Sequence, residues 1–368
     1  MSGQGTRNSP LVLRPGIAEA PIYVPGAHGD EKDGVPPAVL SANENPLGPS
    51  PQALDAYRGS AALERYPDGG AEKLRAAIGE KFGLDPARIV CGAGSDELIT
   101  LLIRCYVGPG DEVLQSQHGF LMYAITAKTV GASAVLAPET PDLLCDVDAM
   151  LAAVTDRTRI CFVANPNNPT GTYIPASELR RLREGLRADI LLAVDAAYSE
   201  YVDADDYSDG ADLVRDYDNV VMLRTFSKAF GLAALRVGWC YAPAAVVDAL
   251  NRVRSPFNVS VPAQVAGVAA LGDAAHLDRS LRENKEQRAR LVGALSQLGL
   301  SITPSVTNFL LVHFADATSA SAANAHLSAK GVIVRSVAAY GLPASLRMTV
   351  GTAEENDRLL SALTDFLA

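Results

Sequence analysis

No C-x-x-C pair occurs among the five cysteines Cys91, Cys105, Cys145, Cys161 and Cys240, several of which sit in apolar, strand-like runs. That spacing excludes a thiol-clustered metal or redox motif and reads as plain buried thiols in a reducing, cytoplasmic setting. The five histidines (His28, His118, His276, His313, His326) lack metal-ligand spacing, so no protein-bound metal is expected. No run approaches about 18 apolar residues. The N-terminal "MSGQGTRNSP" has no apolar core of the kind a leader needs. The expectation is a soluble, unexported chain. Positive charge is in deficit: 32 Lys and Arg stand against 42 Asp and Glu, a net charge of −10. A general nucleic-acid or anionic-membrane surface is thereby excluded, and any anionic ligand must be held by a local cluster of donors. Repeats and low-complexity tracts are absent too.

What is present is a 368-residue chain, 48% hydrophobic and 20% charged, which suits a large folded domain plus a smaller one. Residues 1–50 are rich in Gly and Pro and read as an arm and an entry segment to the small domain. From 51 to 255 helices and strands alternate. "GGAEKLRAAIGEKFG" places Leu74, Ile78 and Phe82 at helical spacing, with Gly83 as the stop. "DELITLLIRCYVG" and "SELRRLREGLRA" read as further helices, the latter with Ser177 as its N-cap. "RIVCGAG", "DEVLQS", "RTRICFVA", "DILLAVDAAY" and "NVVMLRTFSK" read as strands. Such alternation predicts an α/β fold with a mainly parallel sheet covered by helices. From 256 to 368 the texture changes. "RSPFNVSVPAQ" breaks the rhythm, a long charged helix follows, and "NFLLVHF", "GVIVRSV" and "SLRMTVG" surround a helix near 318–330, as in a small α+β domain.

Open parallel sheets bind ligands beyond the carboxyl ends of their strands. At those ends this sequence carries Gly92-Ala93-Gly94-Ser95-Asp96, then Asn165-Pro166-Asn167-Asn168-Pro169, then Asp195 with Tyr198, then Arg224, Thr225, Ser227 and Lys228. Taken singly, each has an ordinary explanation. The glycine pair suits a tight turn and lacks the full dinucleotide G-x-G-x-x-G. Asp195 suits a helix cap, Tyr198 packing, Lys228 a snorkelling cation, and Arg236 an internal ion pair. Together they form an anion nest, an amide, a carboxylate, a phenol, hydroxyls and a lysine on one sheet edge. A cofactor with an aldehyde, a phosphate, a ring phenolate and a pyridine nitrogen uses every member, and pyridoxal 5′-phosphate is that cofactor.

The stretches "LSANENPLGPSP", "RYPDGG", "GAGSDE", "NPNNPTG", "VDAAYSEY", "RTFSKAFGLAALRVGW" and "LRMTVG" run in order along nearly the whole chain. In these the chain resembles the class I and II, fold-type I pyridoxal-phosphate aminotransferases, and its terminal stretches resemble the histidinol-phosphate branch. The resemblance implies Lys228 as the Schiff-base lysine and proton shuttle, Asp195 at the pyridine nitrogen, and Asn168 and Tyr198 at the ring oxygen. Gly94, Ser95, Asp96, Thr225, Ser227 and Arg236 would surround the phosphate. Tyr66 would reach the cofactor phosphate of a neighbouring subunit, making a homodimer with shared active sites. Arg347 would bind the carboxylate of the amino-acid donor and Arg335 the phosphate of the acceptor. Tyr23 and Asn45 match substrate-side positions. Where many relatives have a "P-T-Y" stretch, this chain has "QHGFLMY", so Phe120 is the stacking ring, while His118 is read as a loop residue. The implied activity is transamination between histidinol phosphate and 2-oxoglutarate. The alternatives on the same frame are an aromatic amino acid aminotransferase and a phospho-amino-acid decarboxylase.

Overall fold

A computed structural model describes residues 13–31, 34–60 and 64–368. The stretch "MSGQGTRNSP" lies outside them. The strands are β1 (Ala38–Val39), β2 (Ile89–Gly92), β3 (Glu112–Ser116), β4 (Ser133–Ala137), β5 (Thr158–Ala164), β6 (Leu191–Asp195) and β7 (Val220–Thr225). Then come β8 (Gly238–Tyr241), β9 (Ser301–Thr303), β10 (Phe309–His313), β11 (Val332–Ile333), β12 (Arg335–Ser336) and β13 (Ser345–Thr349). The helices are α1 (Pro51–Arg58), α2 (Glu72–Phe82), α3 (Ser95–Tyr106), α4 (Leu121–Thr129), α5 (Val147–Ala152) and α6 (Ala176–Gly185). They continue as α7 (Ala211–Asp216), α8 (Ala244–Val253), α9 (Val261–Gly272), α10 (Ala274–Gln297), α11 (Ala317–Ala329) and α12 (Ala353–Leu367).

The large sheet has the order β2-β8-β7-β6-β5-β3-β4. Every pairing from β7 to β4 is parallel, whereas β8 runs antiparallel to both neighbours. The carboxyl ends of β2, β7, β6, β5 and β3 therefore share one edge. Strands β6 and β7 are buried along their whole length because helices cover both faces, which is why they read as unbroken apolar runs. Their residues divide by alternation between two apolar clusters: Leu192 and Val194 on one side, Leu191 and Ala193 on the other. Helix α2 forms as its spacing predicts. Leu74 and Ile78 are fully buried, each contributing roughly 2 kcal/mol, and Gly83 ends the helix at φ 64°.

Two local readings change. Helix α6 starts at Ala176 after Pro175, with no side-chain cap, so Ser177 lies inside the first turn. The preset proline backbone and the Ala176 N–H donating to the Asp206 carbonyl replace the expected hydroxyl. The antiparallel β8 was not anticipated: its four residues follow an irregular segment, and only the pairing with β2 and β7 makes them a strand.

The small antiparallel sheet, β12-β13-β10-β9, is backed by α10 and α11, and α12 packs on those two helices and on β11. Residues ahead of α1 are knitted into this unit: β1 pairs parallel with β11, and Ala38 and Leu40 share its apolar cluster with Leu310, Val312 and Leu346. Helix α9, which lies beyond residue 255, packs instead on α1 and α2 of the large unit. A Cβ at Gly267 would stand 3.0 Å from Leu74 Cδ1, so the helices approach closely there. No helix among the described residues is long and apolar enough to cross a membrane.

Candidate active site

Between the large sheet edge and the small unit lies a cavity of about 530 Å³. Its floor begins at the N-terminus of α3. Gly94 precedes that helix at φ 86° and supplies no side-chain cap, which leaves the first-turn N–H groups free for a ligand. A Cβ on Gly94 would come within 2.6 Å of Arg236 Nη2, and one on Gly238 within 2.5 Å of the Ser95 nitrogen. Both glycines are thus required for this floor to close. Arg236 sits in the left-handed region at φ 49° and donates to Asp96 Oδ2 at 3.1 Å and to Ser227 Oγ at 3.3 Å. Thr225 Oγ1 accepts from the Ser227 N–H at 3.1 Å. Ser95, Asp96, Thr225, Ser227 and Arg236 all line the cavity, whereas Arg224, at the same strand end, does not. The ion pair that Arg236 could form if taken alone exists, with Asp96, yet it lies inside the cluster.

Asp195, the last residue of β6, is buried; its Oδ1 accepts from the Ala197 N–H at 3.3 Å. Burial pushes its carboxyl up to about 6, against the pull of a hydrogen bond from Tyr123. Lys228 follows β7, and its Nζ donates to the Ala42 carbonyl at 3.0 Å. Its enclosure, then the nearby Arg347 charge, lower the amine to about 8. Tyr198 is buried, accepts from Asn43 Nδ2 at 2.9 Å, and has its phenol pushed up by burial. Phe120 lines the wall at the start of α4, and Asn168 lines it from the loop after β5. His118 lies in the turn between β3 and Phe120, a loop residue as read, and its Nδ1 meets Glu139 Oε2 at 2.7 Å.

The small unit supplies the other wall. Arg347 is buried on β13 and donates to the Asn168 side-chain oxygen and to the Ser41 carbonyl, while its Nε has no partner among the described residues. Arg335 on β12 stands at the mouth, donating to the Val24 carbonyl at 2.6 Å with its guanidinium 5.9 Å from the Tyr23 ring. Tyr23 also lines the cavity. Asn45 does not. Its amide is spent on the Ala229 carbonyl at 2.9 Å and on Ser280 Oγ at 3.2 Å, so it braces α10. Asn43, in the left-handed region at φ 55°, faces the cavity in its place. The alternating "NEN" offered no local sign of which asparagine turns inward. Tyr66 lies away from its own cavity, 81% exposed and stacked on Phe257 with ring centroids 4.6 Å apart.

The family model for aminotransferase class I and II matches residues 36–363. The chain belongs to the class I and II aminotransferases. Among its relatives, a histidinol-phosphate aminotransferase of Paramagnetospirillum magneticum is 56% identical over 358 residues, covering 96% of this chain and 98% of that one. One from Rhodospirillum centenum is 54% identical, covering 97% and 98%. The solved histidinol-phosphate aminotransferase of Sinorhizobium meliloti, in complex with pyridoxal-5′-phosphate, superposes with a TM-score of 0.85 at 31% identity, covering 89% of this chain and 90% of that one. The architecture is fold-type I.

The donor set of this aminotransferase fits a phosphorylated pyridine aldehyde. The free N–H groups of α3, with Arg236, Ser227 and Thr225, suit a phosphate. The buried Asp195 carboxylate suits a pyridinium nitrogen, and a lysine amine lowered to about 8 suits capture of a carbonyl.

Proposed function

We propose that this chain is a pyridoxal-5′-phosphate-dependent aminotransferase that exchanges the amino group between L-histidinol phosphate and 2-oxoglutarate, the glutamate-coupled step of histidine biosynthesis. The observation that carries the reading is Lys228: a half-buried amine without an ion-pair partner among the described residues, lining the same cavity as the Asp195 carboxylate and the anion-binding floor. The identities with histidinol-phosphate aminotransferases support the substrate choice.

When bound, the cofactor supplies the carbonyl that carries the amino group and a ring that withdraws electrons from the substrate Cα. The α3 N–H groups and Arg236 would hold its phosphate, and Asp195 would pair with its ring nitrogen. Asn168 and Tyr198 would donate toward the ring oxygen, and Phe120 would stack on the ring. Lys228 Nζ would take the proton from the substrate Cα and hand it to the former aldehyde carbon of the cofactor within the same half-reaction, and would carry it the opposite way in the second half of the cycle. Arg347, buried and with one N–H unpaired among the described residues, would take the α-carboxylate of glutamate or 2-oxoglutarate, and Arg335 at the mouth would take the phosphate of histidinol phosphate. Both substrates are anions, and these two guanidinium groups provide the local positive charge that a chain of net charge −10 otherwise lacks. The exposed Tyr66–Phe257 stack supports a homodimer in which Tyr66 completes the partner's phosphate site.

The test compares histidinol phosphate, phenylalanine and tyrosine as amino donors to 2-oxoglutarate, with wild type and Arg335→Ala. Wild type should prefer histidinol phosphate in kcat/KM. Arg335→Ala should cost that substrate about tenfold or more, as expected for a charge-assisted hydrogen bond, and phenylalanine and tyrosine less. A preference for the aromatic amino acids would overturn the substrate assignment.

A further inference from the structure

Tyr123 lies on α4, its ring fully buried against the large sheet. Its hydroxyl donates to Asp195 Oδ2 at 2.6 Å, a short charge-assisted bond. Its ring stacks on Phe162 of β5, with centroids 4.3 Å apart and planes at 6°, so the phenol has no freedom to swing away. The same ring meets Phe120 edge-on, with centroids 5.7 Å apart at 85°. One side chain thus touches both the carboxylate at the end of β6 and the aromatic wall at the start of α4.

We propose that Tyr123 is a positioning residue for the cofactor ring: its hydroxyl keeps Asp195 ionised and aimed at the pyridine nitrogen, while its ring edge sets the Phe120 plane. The proposal rests on the reading of Asp195 as the pyridine-nitrogen partner. A carboxylate buried in this way pays a desolvation cost that favours its neutral form. A donor fixed on Oδ2 favours the ionised form and leaves Oδ1, whose contact in the protein is the longer 3.3 Å bond from the Ala197 N–H, to face the ligand. The groups that face Asp195 are Tyr123 from α4, Asp96 from α3, Lys228 from the segment after β7, and Tyr198 and Tyr207 from the loops after β6. Asp96 opposes its ionisation and Lys228 favours it; among these groups Tyr123 hydrogen-bonds the carboxylate. Removing the Tyr123 hydroxyl therefore moves the Asp195 titration upward from about 6.

The experiment measures the affinity of cofactor-free wild type, Tyr123→Phe and Asp195→Asn for pyridoxal 5′-phosphate and for its 1-deaza analogue, in which carbon replaces the pyridine nitrogen. Tyr123→Phe keeps the stacked ring and loses only the hydroxyl. It should weaken the natural cofactor about tenfold, the loss typical of a hydrogen bond to a charged group, and leave the analogue nearly unchanged. Retained binding of the analogue also establishes that the variant is folded. Affinity for the natural cofactor should fall below about pH 6 in wild type and from a higher pH in Tyr123→Phe. Equal weakening of both ligands, or an unmoved pH profile, would overturn the proposal. If Asp195→Asn fails to distinguish the two ligands, the pairing of Asp195 with the ring nitrogen falls, and the Tyr123 proposal falls with it.

Discussion

Arg224 and Lys228 are two enclosed cations at the end of the same strand, and their surroundings are opposite. Arg224 donates to Glu200 at 2.6 Å and to Asp209 at 3.0 Å, and its guanidinium lies 4.2 Å from the Phe82 ring centroid. Burial pulls its pKa down, but Glu200 and Asp209 together outweigh that and hold it above its ordinary value. Among the described residues Lys228 meets a single backbone carbonyl within hydrogen-bond distance, and its pKa is lowered. The contrast separates two uses of buried charge. Arg224 is matched inside the protein and ties the loop after Tyr198 to β7. Lys228 is left unmatched, so its amine is available for chemistry.

The largest effect expected from breaking this contrast is on turnover. Lys228→Ala should cut kcat on the order of 10³-fold or more, as loss of the proton-transferring group predicts, without lowering the melting temperature of the cofactor-free protein, because no ion pair is lost. Near-normal turnover would remove Lys228 from the mechanism. Glu200→Ala should do the reverse. It leaves Arg224 half-paired in a buried site and should cost roughly 3 kcal/mol of stability, read as a lower denaturant midpoint, with a smaller change in kcat per folded molecule. Unchanged stability would deny the network its structural role. The smallest effect is in pH. A lysine whose folded pKa is depressed loses its proton earlier than in the unfolded chain, so its neutral amine accumulates as pH rises through about 8. The rate at which cofactor-free protein captures pyridoxal 5′-phosphate, followed by absorbance, should therefore rise between pH 7 and 8.5 and then level. A rate that keeps climbing toward pH 10.5 would mean an ordinary, solvated lysine.

Legibility differed along the chain for physical reasons. The strand ends around Asp195, Thr225 and Lys228 were readable because a buried parallel strand is an unbroken apolar run, and polar residues appear where it leaves the sheet. Tyr123 was not readable, because nothing local in "QHGFLMY" shows that a helix turns its second aromatic toward β6. Asn43 and Asn45 are chemically identical and two residues apart; a left-handed backbone at Asn43 decides which faces inward. Strand β8 and the packing of α9 on α1 and α2 depend on neighbours distant in the chain.

Local covalent pattern alone thus determined the α/β alternation, the aminotransferase family and the chemical kinds gathered at the sheet edge, since periodicity and residue type are properties of short stretches. Tertiary structure decided which asparagine serves the site, which tyrosine holds Asp195, which cation is paired and which is free. Each of those is a matter of distance between residues remote in sequence, and a hydrogen bond or an ion pair exists only where packing brings both partners within a few ångströms.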